Sequence, residues 1–199
     1  VHGCNSLGIL AAPYRHIMLQ RAKAKKEPFP VAIVLGLDPA IHIAAVAAFP
    51  FGVDELAMAG ALRGEPLELV PCETIPLEVP AEAEIVIEGE LLPDTLQNEG
   101  PFGEFTGYYG SAGLRPVIAV KAITFRNNPL YLGTYIGRPP HEDCLLKGIP
   151  IETEIINSVP LPGIKKVHVT AGGAGAFNAI VAIDKQFEGY GKMIAMAVL

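Results

Sequence analysis

Between Pro30 and Gly36 the chain runs Val31-Ala32-Ile33-Val34-Leu35 without a polar residue, which predicts a buried strand. Ahead of it, Arg15 to Lys26 reads as a short polar helix. Behind it, Asp38-Pro39-Ala40 predicts a turn into a small-residue helix over Ile41–Ala48. A second helix is expected over Val53–Arg63, with Asp54 suited to its N-cap and Gly64 just past its end. From Leu67 the pattern shortens to β-rich runs separated by Pro, Gly and Asn: Leu67–Cys72, Ile75–Val79, Glu84–Leu92, Val117–Arg126 and Leu130–Tyr135. In the fourth run Val117, Ala119, Lys121, Ile123 and Phe125 share a face, and both faces carry apolar residues, so burial on two sides is expected. Asn127-Asn128-Pro129 has turn chemistry. Short strands at this spacing predict an antiparallel barrel. Glu142–Ser158 then reads as a helix interrupted by Pro150, a connector. Val167–Ala171 and Ala179–Asp184 read as strands, and Gly189–Leu199 as the start of a helix. The expected class is α+β.

Composition narrows the partners. Of 199 residues half are hydrophobic and 18% charged, which is the make-up of a core-forming chain and not of a disordered one. The net charge of −6 argues against nucleic acid, and the one tight basic cluster, Lys23, Lys25 and Lys26, fits a solvated helix face or loop. Cys4, Cys72 and Cys144 lack metal or redox spacing, so reduced thiols and a cytoplasmic location are expected. No apolar run reaches the length of a membrane span. Val1 carries no signal region, and Met193–Leu199 stops on apolar residues. The chain is therefore expected to be an excerpt of a longer protein.

The segment Glu99-Gly100-Pro101-Phe102-Gly103-Glu104, running on into Phe105-Thr106-Gly107-Tyr108-Tyr109, carries the candidate chemistry. It sets two carboxylates five positions apart across a turn that cannot be helical, because Pro101 fixes φ and Gly100 and Gly103 open backbone regions closed to other residues. A rigid turn that brings both acids to one point would raise the pKa of at least one, by repulsion or burial, and yield a proton donor. The same residues also suit a solvated surface loop. Elsewhere His16 is a lone histidine, and Glu55 is an acid in the first turn of a predicted helix. Arg138 suits either a ligand contact or a structural cap, and Gly172, Gly173 and Gly175 lack the lysine and spacing of a phosphate loop, so a flexible turn is expected there. His2, His42 and His168 sit in no motif.

Taken together, the motifs resemble the UbiD-like decarboxylases, which use prenylated flavin mononucleotide (prenyl-FMN). The resemblance rests on EGPFGE with TGYY (Thr106 to Tyr109), on Pro30–Gly36 with Asp38-Pro39-Ala40, on Glu55–Gly64 followed by Glu68-Leu69-Val70, and on Pro80-Ala81 with Glu84–Gly89. TYIGRPP at Thr134–Pro140 and KQFEGYGK at Lys185–Lys192 complete it. It implies a split β-barrel, flavin-reductase-like FMN-binding domain with flanking helices over residues 1–138. A helical linker over 139–159 and the start of a C-terminal α/β domain over 160–199 would follow.

By the same resemblance Glu99 pairs with a catalytic arginine and helps position the substrate carboxylate, and Glu104 donates a proton after CO2 leaves. Arg15, His16 and Glu55 fall to cofactor binding, with His16 and Glu55 as ligands of a divalent ion, Mn2+ or Mg2+, at the cofactor phosphate. A monovalent cation such as K+, held by carbonyls around Ala47–Phe49 and by Glu55, is implied as well. The family's Asn-and-Arg segment would precede Val1, and its roles are not carried onto Asn5 or Arg15. His141 replaces an acid often found after the Pro-Pro pair. The implied reaction is reversible, non-oxidative decarboxylation of an aromatic or α,β-unsaturated acid. Implied partners are that acid, CO2, a flavin prenyltransferase that supplies the cofactor and further copies of the chain, with peripheral membrane association where the substrate is lipophilic. Two other readings share these motifs: a phenylphosphate-carboxylase-type subunit that fixes CO2, and a non-catalytic flavin-binding or assembly subunit. The excerpt by itself is expected to be inactive.

Overall fold

The computed structural model describes residues 20–21, 23–47, 49, 52–135 and 137–199. The chain forms two compact units. The first holds residues up to Phe102 together with Tyr109–Gly133, and the second holds Gly103–Tyr108 with Thr134–Leu199.

The first unit is built on an antiparallel sheet in the order β1-β4-β5, where β1 is Phe29–Leu35, β4 Ile85–Glu99 and β5 Gly113–Phe125. β1 pairs with the first half of β4, from Phe29 opposite Leu91 to Leu35 opposite Ile85. β5 pairs along nearly the whole of β4, with irregularities at Glu88/Gly89 and between Leu92 and Leu96. A second, two-stranded ladder joins β2 (Leu69–Pro71) to β3 (Glu78–Pro80). Two helices lie between β1 and β2. Helix α1 (Pro39–Val46) starts at Asp38, whose Oδ1 accepts from Ala40 N at 2.7 Å. Helix α2 (Glu55–Arg63) starts at Asp54 and ends at Gly64 in the left-handed region, φ 81°. Leu37, Ile41, Ala44 and Ala59 form the core, with Val34, Phe49, Leu56 and Met58 packed around them. Residues 20–21 and 23–25 are helical, within the stretch expected to be so.

Several expectations change in this unit. Leu130–Tyr135 is not a strand: the Leu130 amide donates to Glu84 Oε2 at 3.0 Å instead of to a ladder neighbour. Of the face expected to be buried in β5, Ile123 and Phe125 are exposed; β5 is the edge of the described sheet. β4 runs seven residues past Leu92 because β5 supplies partners as far as Glu99 opposite Gly113.

In the second unit helix α3 (Glu142–Ser158) runs unbroken through Pro150. It is tied to the hairpin of β6 (Ile164–Val169) and β7 (Ala179–Ile183) through Glu152, whose Oε1 accepts from Val169 N at 2.8 Å. Helix α4 (Tyr190–Val198) closes a small core of Val159, Tyr190 and Ile194. Between β6 and β7 a short 3-10 turn, Ala171–Gly173, is capped by Thr170. Gly175 follows at φ 67°; any Cβ there would lie 2.1 Å from the Cys144 carbonyl oxygen, so this close approach to α3 requires glycine. The glycine-rich stretch is thus a packed turn. No described helix is long and apolar enough to cross a membrane.

Candidate active site

Glu99 is the last residue of β4, and the β4–β5 register fixes it opposite Gly113. Its carboxylate is exposed, and Oε2 lies 3.7 Å from Arg115 Nε on the neighbouring strand. Gly100 then takes φ 78°, and the Gly100–Pro101 peptide is cis. This backbone is closed to helix, as the composition of the turn requires. Gly110 N donates to Phe102 O at 2.9 Å and ends this part of the first unit.

Glu104 lies five residues on, in the second unit. Its turn closes on itself: Glu104 N donates to Tyr108 O at 2.8 Å, and Gly107 N donates to Glu104 O at 2.9 Å. The side chain is half-buried and has no hydrogen bond or ion pair among the described residues. Phe105 carries the turn into the core formed with Cys144 and Ala174. Gly107 sits against Arg138, whose Cα would be 2.9 Å from a Cβ at that position.

At the head of α3 lie four polar groups that sequence reasoning did not assign. His141 is 5% exposed, Asp143 1% and Lys147 2%, and Cys144 is buried beside them. His141 Nε2 is 2.9 Å from the Phe105 carbonyl oxygen and 3.2 Å from Cys144 Sγ. A carbonyl only accepts, so the first contact puts a proton on Nε2. Asp143 Oδ2 is 3.1 Å from Lys147 Nζ, but among the described residues neither carboxylate oxygen receives a hydrogen bond, nor does His141 Nδ1 have a partner. The one available signal was the spacing of Asp143 and Lys147, a carboxylate and an ammonium one helical turn apart among apolar residues.

In the first unit Glu88 was also overlooked. It points inward from β4 and accepts from Glu73 N at 2.9 Å and from Thr74 N and Thr74 Oγ1, both at 2.6 Å. Burial pushes its carboxyl up, but the Thr74 hydroxyl and the two amides outweigh that and hold it below its ordinary value. Burial, and then the Glu88 charge, push the nearby Cys72 thiol up, away from the reactive thiolate.

Of the expected metal ligands, His16 lies outside the described residues, as do Arg15 and Asn5. Glu55 opens α2, half-buried, with no hydrogen bond or ion pair among the described residues. A free carboxylate at a helix N-terminus is a hard oxygen donor and fits one position around Mn2+ or Mg2+. Among the described residues no cluster of three or more His, Cys, Asp or Glu side chains could hold a metal. Of the carbonyls expected around K+, that of Ala48 lies outside the described residues.

A family model described as the 3-octaprenyl-4-hydroxybenzoate carboxy-lyase Rift-related domain, UbiD, matches residues 1–139. Among solved structures, an evolved dimeric form of the UbiD-class enzyme HmfF from Pelotomaculum thermopropionicum, in complex with prFMN, is 43% identical with a TM-score of 0.87. The match covers 93% of this chain and 43% of that one. The apo 3,4-dihydroxybenzoic acid decarboxylase AroY of Klebsiella pneumoniae is 39% identical over 94% of this chain and 41% of that one, with a TM-score of 0.82. The vanillic acid decarboxylase of Sedimentibacter hydroxybenzoicus, in open form, is 29% identical over 92% and 40%, with a TM-score of 0.81. The chain therefore spans about two fifths of the length of these proteins. Its mixed α/β architecture with small antiparallel sheets matches theirs.

Proposed function

The chain belongs to the UbiD family of carboxy-lyases, and from that premise we propose that it carries two acids and part of the cofactor site of a prenyl-FMN-dependent decarboxylase. The substrate is an aromatic or α,β-unsaturated carboxylic acid, and the reaction releases CO2 without net oxidation. Bound prenyl-FMN supplies the electron sink for the carbanion-like centre left when CO2 departs. Residues 1–138 are read as the flavin-binding split-barrel domain.

Glu104 donates the proton that completes the reaction. The observation that carries this role is its setting: a half-buried carboxyl without a partner among the described residues, on a turn locked by two backbone hydrogen bonds. A proton donor must be held at its acceptor and must not spend its proton on a structural bond. Glu99 has the opposite setting. Exposed at a strand end beside Arg115, it suits charge pairing and orientation of the substrate carboxylate, a part that needs an ionised acid. Glu55, with His16, would hold a divalent ion at the cofactor phosphate, where the ion neutralises charge and fixes the flavin. Arg15 would add a further positive charge there.

The test is Glu104→Gln in the complete protein loaded with prenyl-FMN. Loss of a positioned general acid costs about 10²–10⁴-fold in rate. Turnover should fall by that factor, with the flavin absorbance of the purified protein unchanged. Turnover close to wild type would remove Glu104 from the role.

A further inference from the structure

Glu104 is joined directly to Phe105, and the second unit grips the turn through that residue. Phe105 is 6% exposed. Lys147 Nζ stands 3.7 Å from its centroid. Phe177 stacks on it, with centroids 5.8 Å apart and the planes at 25°. The main-chain oxygen of Phe105 accepts from His141. A cation held over an aromatic face is attracted by the ring quadrupole, and more strongly once both are out of water. Lys147 is out of water, and Asp143, one turn earlier on α3, balances its charge.

Apolar side chains of similar volume would fill the head of α3 without desolvating two charges, often at no loss of stability. What they lack is direction. The ammonium is placed by its ion pair, the ring is placed by the ammonium and Phe177, and the carbonyl is placed by the imidazole. With the 104–108 turn closed by its own hydrogen bonds, a displacement of Phe105 is a displacement of Glu104.

We propose that His141 and the Asp143–Lys147 pair are positioning residues that hold the Phe105 turn and thereby fix the carboxyl of Glu104 for proton transfer. This rests on the reading of Glu104 as the proton donor. None of the three touches the reacting atoms; they act through Phe105. Misplacement of a reacting group by about 1 Å can cost on the order of 10²-fold in rate. The effect falls on the step that Glu104 performs, and so on kcat more than on KM.

The experiment uses the complete protein and three variants: His141→Leu, His141→Gln, and the double variant Asp143→Asn with Lys147→Met. The double variant removes both charges together, so neither is left buried alone. Two quantities are read: kcat and KM with prenyl-FMN bound, and amide hydrogen exchange of residues 103–108 without cofactor. In His141→Leu and the double variant, kcat should fall about tenfold or more with KM within about twofold, and exchange at the Glu104 and Gly107 amides should quicken selectively. His141→Gln keeps a donor for the Phe105 carbonyl and should restore most of both. Where a variant yields no folded protein, Phe105→Leu, which keeps an apolar side chain but removes the ring face, takes its place with the same expectation. Unchanged kcat and exchange would overturn the proposal. So would faster exchange spread over the whole second unit with KM moved as far as kcat, which is the mark of a merely structural cluster. Glu104→Gln separates the two readings. If it stays active, the donor assignment has failed whatever the exchange shows; if it is inactive while these variants keep the wild-type kcat, the positioning assignment has failed.

Discussion

Glu88 and Asp143 are equally buried, each 1% exposed, and are held in opposite ways. Glu88 faces no cation among the described residues. Its two oxygens take three hydrogen bonds, from two backbone amides and a hydroxyl, so its charge is dispersed over fixed dipoles. Among the described residues Asp143 takes no hydrogen bond and depends on one ammonium at 3.1 Å. That ammonium also serves the Phe105 ring. The first arrangement closes a turn between two strands and asks nothing of the rest of the molecule. The second stakes a helix head on a single partner, and that partner also touches the residue beside Glu104. Two buried acids of like exposure thus have unlike vulnerabilities, and removal of one neighbour at a time should expose them.

The largest effect is expected at Lys147. Lys147→Met alone leaves Asp143 charged, buried and unpaired, which costs about 3–5 kcal/mol when a buried pair is broken from one side. Adding Asp143→Asn should recover most of that loss. Local stability read from amide exchange along α3 in the complete protein checks both values. If the single variant is as stable as the double, Asp143 is not relying on the pair, and the contrast with Glu88 collapses.

Glu88 comes next. Glu88→Gln keeps an acceptor oxygen for part of the network but replaces the second oxygen with a donor that faces other donors. Leaving a buried polar group unsatisfied costs about 1–3 kcal/mol. The pH dependence supplies an independent reading. The folded carboxyl is held below its ordinary value of 4.5. A group depressed on folding contributes stability that is fully present above its unfolded pKa and is lost as pH falls through the folded value. Acid titration of the β2–β3 turn, followed by exchange or by a spectroscopic probe at Cys72, should therefore show loosening only as pH falls below that ordinary value. Glu88→Gln should abolish that component. A loosening at higher pH that persists in the variant would assign it to another group.

The same contrast accounts for what the sequence could reveal. The ends of α2 were readable because their cause is local: Asp54 and Gly64 act on backbone within one turn of themselves. The extension of β4 was not. Pro93 and Asp94 look like the end of a strand, and the strand continues only because β5 offers partners beyond an irregularity. At the site, the motif marked Glu99 and Glu104 by number. Only the pairing of β4 with β5 and the docking of Phe105 give them different surroundings. His141, Asp143 and Lys147 were hidden for the reason Glu88 was. Whether an acid on a helix or strand is buried depends on what covers it, and the cover comes from 36 residues away for His141 and 14 to 15 for Glu88. A charged residue in a predicted helix reads as solvated until that partner is known.

The smallest effect separates hydrogen bonding from burial. Asp54 resembles Glu88 in making bonds only to backbone amides, Leu56 N at 2.9 Å and Ala57 N at 3.4 Å, but it does so exposed at the start of α2. When Asp54 is replaced by alanine, water can reach the freed amides, so no buried donor is orphaned. The expected cost is that of a lost N-cap, about 1 kcal/mol, read as faster exchange at the Leu56 and Ala57 amides with little change elsewhere. A cost as large as that of Glu88→Gln would mean that the bonds themselves, and not their burial, set the stability of Glu88. A cost near zero would mean the reverse. Glu55 makes the measurement more telling, because it stands in the first turn that Asp54 caps. On the proposed role of Glu55, if that turn frays without Asp54, retention of prenyl-FMN and a divalent ion by the complete protein should weaken in step with exchange at Leu56 and Ala57.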